Sequence, residues 1–357
     1  MEPGCLEGLP AYLKSNKAEN ILLVSDEGVS GTDWFGRLRL KIEGQVTVVS
    51  NIPPNPPSTE IDRLTAESRS KGYDLVLAIG GGSVLDAGKA VAMLLNNEGS
   101  IVDFEGKNKF PNGSIPFVAV PTTCGTGSEV TWVAVVTVPE ISSKISIKGD
   151  GMFPLAAFVD ADVLVSLPPH LIASTGMDAV THALEALIGR PANPASDALA
   201  LQSMRLLIRH LGPCVRNPDR QEHRKAVIHA STIAGMAFGN ADVGAVHCLS
   251  ESIGGLLNHP HGLLNTLLLV PVLRFQLDHI RDRLRMVSAF LGAPRPESLL
   301  DRLDTMVAGF PLKKWADLEI NPDQFEQIAL MAEANGSNPS NLKEMRASDY
   351  LSILRAL

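Results

Sequence analysis

The sequence has few cysteines, no long apolar run and no excess of positive charge. Its four cysteines, Cys5, Cys124, Cys214 and Cys248, are scattered and form no C-x-x-C pair, which indicates reduced thiols rather than a disulfide framework. The most apolar late stretch, residues 262–273, is too short to cross a bilayer and contains a proline. The net charge of −8 argues against nucleic acid or an anionic membrane as the main partner.

The composition is that of an ordinary globular chain. Residues 1–15 contain no apolar core of the signal-peptide kind, so we expect a cytoplasmic protein with no membrane role and no nucleic-acid partner. A length of 357 residues suggests about two domains of roughly 150 residues each. The content of 45% hydrophobic and 20% charged residues is sufficient for a large core.

The two halves of the chain have different patterns. In the first half, short apolar runs alternate with helical patterns, which predicts a parallel sheet covered on both faces. After Pro168 and Pro169, helical patterns dominate, and a double proline is a plausible boundary. We therefore predict an α/β domain over 1–167 and an all-helical domain over 168–357. The predicted strands are 21–26, 45–50, 74–82, 117–123 and 156–164, and a helix is predicted over 59–72.

A glycine-rich turn follows the third predicted strand, in LAIGGGSVLDAGKAVA (77–92). Such a turn exposes backbone N–H groups at a helix N-terminus, which suits the pyrophosphate of a nucleotide. Leu85 breaks the Rossmann fingerprint, and Ser83 and Ala90 break the P-loop fingerprint, so a tight turn without a ligand is equally compatible. A second polar turn, PTTCGTGSEVT (121–131), follows another strand. Two such loops on one edge of a parallel sheet favour a dinucleotide.

Four later residues have the chemistry of metal ligands. Asp178 and His182 lie four apart in a helical segment, so both project from one face. His247 and His261 lie in apolar or turn segments that suit a solvated imidazole poorly. A carboxylate with three imidazoles suits one Zn²⁺ or Fe²⁺ ion and leaves room for a substrate oxygen. Each part alone is equally compatible with a structural contact. The other histidines lie in charged or surface-like segments: His170, His210, His223, His229 and His279.

Four segments in order, GGGSVLDAGK, PTTCGTGSEVT, GMDAVTHALEA and the His247–His261 segment ending in PHG, resemble the iron-containing (group III) alcohol dehydrogenases. The resemblance covers most of the chain and implies a dehydroquinate synthase-like architecture, in which a nucleotide-binding α/β domain precedes a helical, metal-binding domain. It also implies the site residues. These are the metal ligands Asp178, His182, His247 and His261, and the cofactor contacts Asp26, Gly81, Gly82, Ser83, Asp86, Thr122, Thr123, Thr126 and Lys144.

The resemblance further implies the cofactor and the reaction. Asp26 closes the first strand at an acidic position associated with NAD. A carboxylate accepts a hydrogen bond from the ribose 2′-hydroxyl and repels a 2′-phosphate, so we expect NAD in preference to NADP. The alternative for Asp26 is a solvated loop carboxylate or a helix cap. The expected activity is a metal-dependent, NAD(H)-linked interconversion of a small alcohol and its aldehyde or ketone.

Three features depart from the family pattern. Glu251 stands where many members have a second histidine, and we predict an acid/base role for it, although a salt bridge is equally compatible. His259 precedes PHG where a small or apolar residue is common, and we predict that it faces the substrate or supports the ligands. The chain also begins near its first helix, without the opening strand that contributes to dimer contacts in many members. A homodimer is one option, with its interface unassigned.

Three other functions stay open. A lyase-type synthase of the same superfamily needs basic residues for a phosphate-bearing substrate, and the segments around the ligands contain almost none. A metal-free enzyme like maleylacetate reductase is disfavoured by the intact ligand set. A non-catalytic nucleotide-binding protein would be indicated by loss of a ligand or of the glycine turn, and neither is lost. The sequence identifies neither the substrate nor the native metal.

Overall fold

The computed structural model describes residues 1–357 and divides into two compact units, Met1–Leu167 and Pro168–Leu357. The division falls at the proline pair where the sequence pattern changes. The first unit contains strands and helices, and the second contains helices and no strand. This order confirms the predicted fold class, an α/β domain followed by an all-helical one.

The first unit is built on eight strands and five α-helices. The strands are β1 (Asn20–Val24), β2 (Gln45–Val49), β3 (Leu75–Gly80), β4 (Gly106–Lys107), β5 (Phe117–Pro121), β6 (Val133–Val138), β7 (Ser143–Lys148) and β8 (Ala156–Ala157). The helices are α1 (Leu9–Ser15), α2 (Glu27–Ser30), α3 (Asp33–Lys41), α4 (Ser58–Arg69) and α5 (Gly82–Leu94).

The main sheet has the order β2-β1-β3-β5-β8, and every neighbouring pair is parallel. Its central strands are apolar apart from Asn20 at the start of β1, because helices or loops cover both faces. In β1, Leu22 and Val24 belong to one buried cluster, whereas Ile21 and Leu23 belong to the cluster on the opposite face. The alternation follows from the two-residue period of a strand. The predicted parallel sheet with two covered faces is confirmed.

The strand order places the polar loops at one crevice. The chain goes from β1 outward to β2, returns to β3 on the other side of β1, and continues to β5. In sheets of this kind, ligands bind beyond the carboxyl ends of the strands where the direction of winding reverses, here between β1 and β3. Asp26 follows β1, Gly81 follows β3 and Thr122 follows β5. The three loops therefore lie along the same edge of the sheet.

The last predicted strand is largely wrong. Only Ala156–Ala157 pairs as a strand, and a 3₁₀-helix covers Ala161–Ser166. The cause is Asp160, whose carboxylate accepts a hydrogen bond from the Asp162 amide and caps this helix. The same carboxylate also accepts from the amides of Gly4 and Leu6, which ties the first turns of the chain to this segment.

A second, three-stranded sheet was not predicted from the sequence. It has the order β4-β7-β6, in which β6 and β7 form an antiparallel hairpin running from Val133 opposite Lys148 to Val138 opposite Ser143. One face of the hairpin, with Ala134, Val136 and Ile145, joins the core next to α4 and α5.

The second unit contains nine α-helices: α6 (Pro169–Ile188), α7 (Pro194–Arg216), α8 (Gln221–Phe238), α9 (Ala245–Leu257), α10 (His261–Phe275), α11 (Leu277–Phe290), α12 (Pro296–Ala308), α13 (Phe325–Ala334) and α14 (Ala347–Ala356). Helix α6 is the centre of this unit, because it packs against α7, α8 and α10 and is buried almost all round. No single helix is long and apolar enough to span a membrane, whereas α10 and α11 meet the same length and composition test only as a pair bent by 110°.

Candidate functional site

Helix α6 carries the first two candidate ligands in its buried middle. Pro169 occupies the first turn, where the missing N–H costs nothing and the fixed φ favours a helix start. Asp178 and His182 follow one turn apart and are 2% and 5% exposed. A carboxylate this deep in a protein needs hydrogen bonds or a cation to offset the loss of hydration.

The other two ligands are brought to α6 by the connection between α9 and α10. His247 is the third residue of α9, and His261 is the first residue of α10. Between the helices, Asn258 adopts the left-handed conformation with φ of 56° and turns the chain back. Gly262 then lets α10 approach α6 closely, since a Cβ at this position would lie 2.7 Å from the Ser174 carbonyl oxygen.

Three of the four predicted ligands share one point. One ligand atom from each of Asp178, His247 and His261 lies within 4.8 Å of the others. The Oδ1 atom of Asp178 is 3.8 Å from His247 Nε2 and 3.7 Å from His261 Nε2. His182 lies beside this group, with its Nδ1 3.9 Å from the same Oδ1. Its ring stacks on the Phe238 and His247 rings, with centroids 4.3 and 4.6 Å away.

Glu185 is a buried carboxylate that the sequence interpretation missed. Its Oε2 lies 2.5 Å from His247 Nδ1, and its Oε1 accepts a hydrogen bond from the Val246 amide. A carboxylate partner fixes the proton on Nδ1, which leaves the Nε2 lone pair directed at Asp178. The signal was present in the sequence, because Glu185 lies three residues after His182 and therefore on the same face of α6.

Asn265 is the second residue that was missed. Its Nδ2 atom is 2.6 Å from Asp178 Oδ1 and 3.1 Å from the Nε2 atoms of both His247 and His261. An amide nitrogen has two hydrogens, so it cannot satisfy three acceptors at once. The Asn265 Oδ1 atom is buried without a hydrogen-bond partner. This excess of acceptors fits a cation at the same point.

The charges around this point favour a positive group. Burial alone would raise the pKa of Asp178, but the imidazoles of His182, His261 and His247 and the Asn265 amide lower it below its usual value. Burial opposes a charge on His247, yet Glu185 and Asp178 raise its pKa above the usual value. The carboxylates therefore attract a proton or a metal ion to the imidazole.

The two polar loops of the first unit pack tightly against each other. A Cβ at Gly82 would lie 2.4 Å from Thr126 Cγ2, and one at Gly81 would lie 3.1 Å from Thr123 Cγ2. Neither glycine has a positive φ, so glycine is required here by the close approach of the loops. The Thr122 amide donates to the Gly80 carbonyl oxygen, which anchors the second loop to the first.

Ser83 and Lys144 are joined through Asn55. The backbone N–H of Asn55 donates to Ser83 Oγ at 3.1 Å, and Lys144 Nζ donates to the side-chain oxygen Oδ1 of Asn55 at 2.9 Å. These contacts bring the start of α5, the loop after β2 and strand β7 together. They place a cation near the exposed N–H groups at the start of α5, an arrangement that suits an anionic phosphate.

Asp86 holds the second loop in place. Its carboxylate accepts from the Ser128 hydroxyl at 2.6 Å and from the Val135 amide at 3.0 Å, and its burial raises its pKa. Lys89 lies 4.0 Å away, is fully buried and donates to the carbonyl oxygens of Ser128 and Val133. Burial lowers the pKa of Lys89 to about 8. The predicted cofactor role of Asp86 stays a prediction beside this structural one.

Asp26 caps a short helix. Its side chain accepts from the Val29 amide at 2.9 Å and is the N-cap of α2. The helix-cap alternative stated from the sequence therefore holds. The carboxylate still lies at the edge of the sheet between β1 and β3, so capping and a ribose contact are compatible.

The sequence matches one family along both units. Residues 1–161 match the model described as iron-containing alcohol dehydrogenase, and residues 172–357 match the model described as Fe-containing alcohol dehydrogenase family, C-terminal. The chain belongs to the iron-containing alcohol dehydrogenase family. It is an oxidoreductase of the iron-type alcohol dehydrogenase class, as the resemblance predicted.

Individual relatives of this family resemble the chain along most of their length. Alcohol dehydrogenase 4 of Schizosaccharomyces pombe is 31% identical, and the aligned region covers 94% of this chain and 82% of that protein. The NAD-dependent methanol dehydrogenase of Bacillus methanolicus is 29% identical, and the aligned region covers 99% of this chain and 96% of that protein. A solved 1,3-propanediol oxidoreductase is 30% identical, with a TM-score of 0.94 over 99% of this chain and 96% of that one.

Glu251 and His259, where this iron-containing alcohol dehydrogenase departs from the family pattern, lie near His247 and His261 in sequence. Glu251 is half-buried on α9, one turn after His247, and its Oε2 accepts from the Asn335 amide at 2.7 Å. This hydrogen bond takes the place of the salt bridge considered from the sequence. His259 is half-buried in the connection before α10. Their acid/base roles stay predictions.

One prediction about the remaining histidines is wrong. His210 was grouped with the surface histidines, yet it is 9% exposed because it lies on the face of α7 that packs against α8. Its Nδ1 atom is 2.9 Å from the Nδ1 atom of His223. The signal that was missed is the apolar spacing of Leu207, Leu211 and Cys214 around His210, which marks a buried helix face.

Proposed function

We propose that this chain catalyses the reversible, NAD-linked interconversion of a small alcohol and its aldehyde or ketone, with one divalent metal held by Asp178, His182, His247 and His261. The observation that carries the proposal is the convergence of Asp178, His247 and His261 within 4.8 Å. His182 is included because its Nδ1 faces the same carboxylate oxygen. Three imidazoles and one carboxylate suit Fe²⁺ or Zn²⁺.

The protein prepares these side chains for a cation. Glu185 holds the His247 proton on Nδ1 and leaves Nε2 available. Ser250 Oγ donates to the His247 carbonyl oxygen at 3.2 Å and lies 3.5 Å from His261 Nδ1, which favours the same tautomer for His261. When bound, the metal supplies a Lewis acid for the substrate oxygen.

Proton transfer is assigned to the residues that differ from the family pattern. Glu251 extends from α9 one turn after His247, and the Asn335 amide holds its carboxylate in place. A carboxylate so placed can accept the alcohol proton or return it to the aldehyde. His259 can serve as a further donor or as support for the ligands.

The cofactor is assigned to the loops of the first unit. The N–H groups at the start of α5, together with Lys144, suit the pyrophosphate, while Thr122, Thr123 and Thr126 line the neighbouring loop. Asp26 favours the ribose hydroxyl of NAD over the phosphate of NADP. The methanol dehydrogenase relative is named as NAD-dependent, which supports the same cofactor here.

The substrate is assigned to the class of small alcohols and aldehydes. The related proteins are named for methanol and 1,3-propanediol, and both are small, uncharged alcohols. None of the four cysteines forms a disulfide, and three are buried, which suits a reducing compartment, so we propose that the enzyme works in the cytoplasm.

A coupled assay tests the function. Protein stripped of metal is reconstituted with Fe²⁺ under anaerobic conditions or with Zn²⁺, and NADH absorbance is followed with a panel of small alcohols and aldehydes. We expect turnover only after metal is added, with one NADH consumed per aldehyde reduced. Full activity in the stripped protein would contradict the metal mechanism, and product formation without net change in NADH would indicate a synthase.

The cofactor preference is tested by Asp26→Ser. Serine keeps an oxygen that can cap α2 but removes the negative charge that would repel a 2′-phosphate. We expect kcat/KM with NADP to rise relative to NAD by about 10-fold, equivalent to about 1.4 kcal/mol. Asp26→Ala, which removes the cap as well, is the control for a purely structural effect. An unchanged NADP/NAD ratio in Asp26→Ser would argue against a ribose contact.

A further inference from the structure

The second cluster of potential metal ligands lies at the hairpin between α7 and α8, outside the site described above. His210 on α7 and His223 on α8 place their Nδ1 atoms 2.9 Å apart, with their ring centroids separated by 5.2 Å. Glu222 completes the group, since one ligand atom from each of the three side chains lies within 4.8 Å of the others.

The distances suit a shared ion. Zinc binds imidazole nitrogen at about 2.0–2.1 Å, so two nitrogens 2.9 Å apart both lie within reach of one ion. Without an ion, a single proton joins the two Nδ1 atoms, one as donor and the other as acceptor. When a metal replaces that proton, the donor imidazole moves its proton to Nε2, so both rings stay neutral and both Nδ1 atoms become ligands.

The cluster combines two imidazoles with one carboxylate. The neutral imidazole is the form that binds metals. The Glu222 carboxylate is exposed. It adds a negatively charged ligand to the two imidazoles and offsets the positive charge of the neighbouring Arg209.

The connection between α7 and α8 is short and is held by a hydrogen bond. Only residues 217–220 join α7 to α8, and Arg224 fixes this connection by donating from Nη1 to the Pro218 carbonyl oxygen at 2.5 Å. Cys214 is one turn after His210, but its Sγ is not among the ligand atoms that converge within 4.8 Å, so it lies outside the ligand set.

We propose that His210, His223 and Glu222 form a second metal site, for a borderline first-row ion such as Zn²⁺, that joins α7 to α8. Two imidazoles, one carboxylate and water are a usual set for Zn²⁺, Ni²⁺ or Cu²⁺. The site lies on two packed helices, so a bound ion links them and stabilises the helical unit by mass action.

Metal stoichiometry tests the proposal. Metal-free full-length protein is dialysed against ZnCl₂, and bound zinc is measured by mass spectrometry. We expect two ions per chain in the wild type, one in His223→Gln and one in Asp178→Asn, which disables the other site. His279→Gln, an exposed histidine on α11, is the control and keeps two ions. If the wild type binds one ion and His223→Gln binds the same ion, the proposal is wrong.

Two further measurements separate this site from the proposed catalytic one. In the Asp178→Asn background, one Zn²⁺ ion per chain should bind and raise the melting temperature. Adding His223→Gln should abolish both effects, because loss of a direct ligand weakens binding by more than the about 10–100-fold typical of outer contacts. The milder Glu222→Gln should weaken binding about 10-fold without affecting the fold. Zinc effects that persist in the double variant would overturn the proposal. If the catalytic assignment fails instead, the zinc effects of the site between α7 and α8 are unchanged.

Discussion

Glu185 acts on the candidate metal centre through His247. Its carboxylate holds the His247 proton on Nδ1 and the Val246 amide with its second oxygen, and it lies fully inside the protein. We expect Glu185→Gln to weaken metal binding by about 10–100-fold, because the neutral amide no longer fixes the imidazole tautomer or supports its charge.

Competition with a chromophoric chelator measures this change, and kcat at saturating metal separates affinity from chemistry. Glu333→Gln, on α13, provides a carboxylate-to-amide control away from the ligands. Equal metal affinity in Glu185→Gln and the wild type would show that Glu185 serves packing alone.

Asn265 has the opposite expected effect. Its amide nitrogen lies at the point that the metal ligands share, so it stabilises the metal-free form, and a bound cation takes over its role. We expect Asn265→Ala to destabilise the metal-free protein by about 1–3 kcal/mol more than the metal-loaded protein. By linkage, the variant binds metal more tightly, by roughly 10-fold for each 1.4 kcal/mol.

Urea unfolding with and without metal, together with chelator competition, measures both quantities. The cavity left by the substitution is present in both states, so the difference between them reports the amide. A variant that binds metal more weakly than the wild type would reverse this interpretation of Asn265.

At the scale of elements, the close packing of the two polar loops of the first unit requires that Gly82 has no side chain. The Cβ of Gly82→Ala would lie 2.4 Å from Thr126 Cγ2, which forces the loops after β3 and β5 apart. We expect a loss of about 1–3 kcal/mol in the free energy of unfolding and weaker NAD binding. Thr126→Ser removes that methyl group, so the double variant should recover part of both.

Tryptophan fluorescence titration with NAD and urea unfolding follow the four proteins of this cycle. Thr126→Ser alone is the control for the lost methyl group. If Gly82→Ala binds NAD as the wild type does, the close approach of the loops has no role in holding the cofactor.

The elements that the sequence predicted well are those with a strong local signal. The central strands are apolar apart from Asn20 at the start of β1, and α6 has a continuous helical pattern, so both were predicted correctly. The hairpin of β6 and β7 was not predicted, although its residues alternate between buried and partly buried positions. The strand predicted over 156–164 failed because Asp160 starts a 3₁₀-helix, a capping contact that an apolar pattern does not reveal.

At the scale of the whole molecule, the site depends on contacts between distant segments. The face shared by Asp178 and His182 follows from helical spacing, whereas the approach of His247 and His261 depends on the left-handed Asn258 and on Gly262. Spacing alone does not encode that geometry, and only the family resemblance supplied it. Glu185 had a local signal, because it shares a face of α6 with His182, whereas the role of Asn265 follows only from its contacts in the packed structure.

The two units are expected to respond to different ligands. Hydrogen exchange of the full chain, measured by mass spectrometry, can follow NAD and Zn²⁺ separately. NAD should slow amide exchange at the start of α5 and in the loop after β5, because the phosphates and the ribose bind there. Zinc at the proposed catalytic site should slow exchange in α6, α9 and α10, since its ligands join these helices, and zinc at the second proposed site should slow exchange in α7 and α8.

Asp178→Asn provides the matched control for this last prediction. The variant should lose the zinc protection of α6, α9 and α10 and keep the NAD protection, because Asp178 lies in the second unit and the polar loops lie in the first. Zinc protection of α6, α9 and α10 that survives in Asp178→Asn would contradict the assignment of Asp178 as a ligand, and an NAD effect confined to the helical unit would contradict the assignment of the loops after β3 and β5.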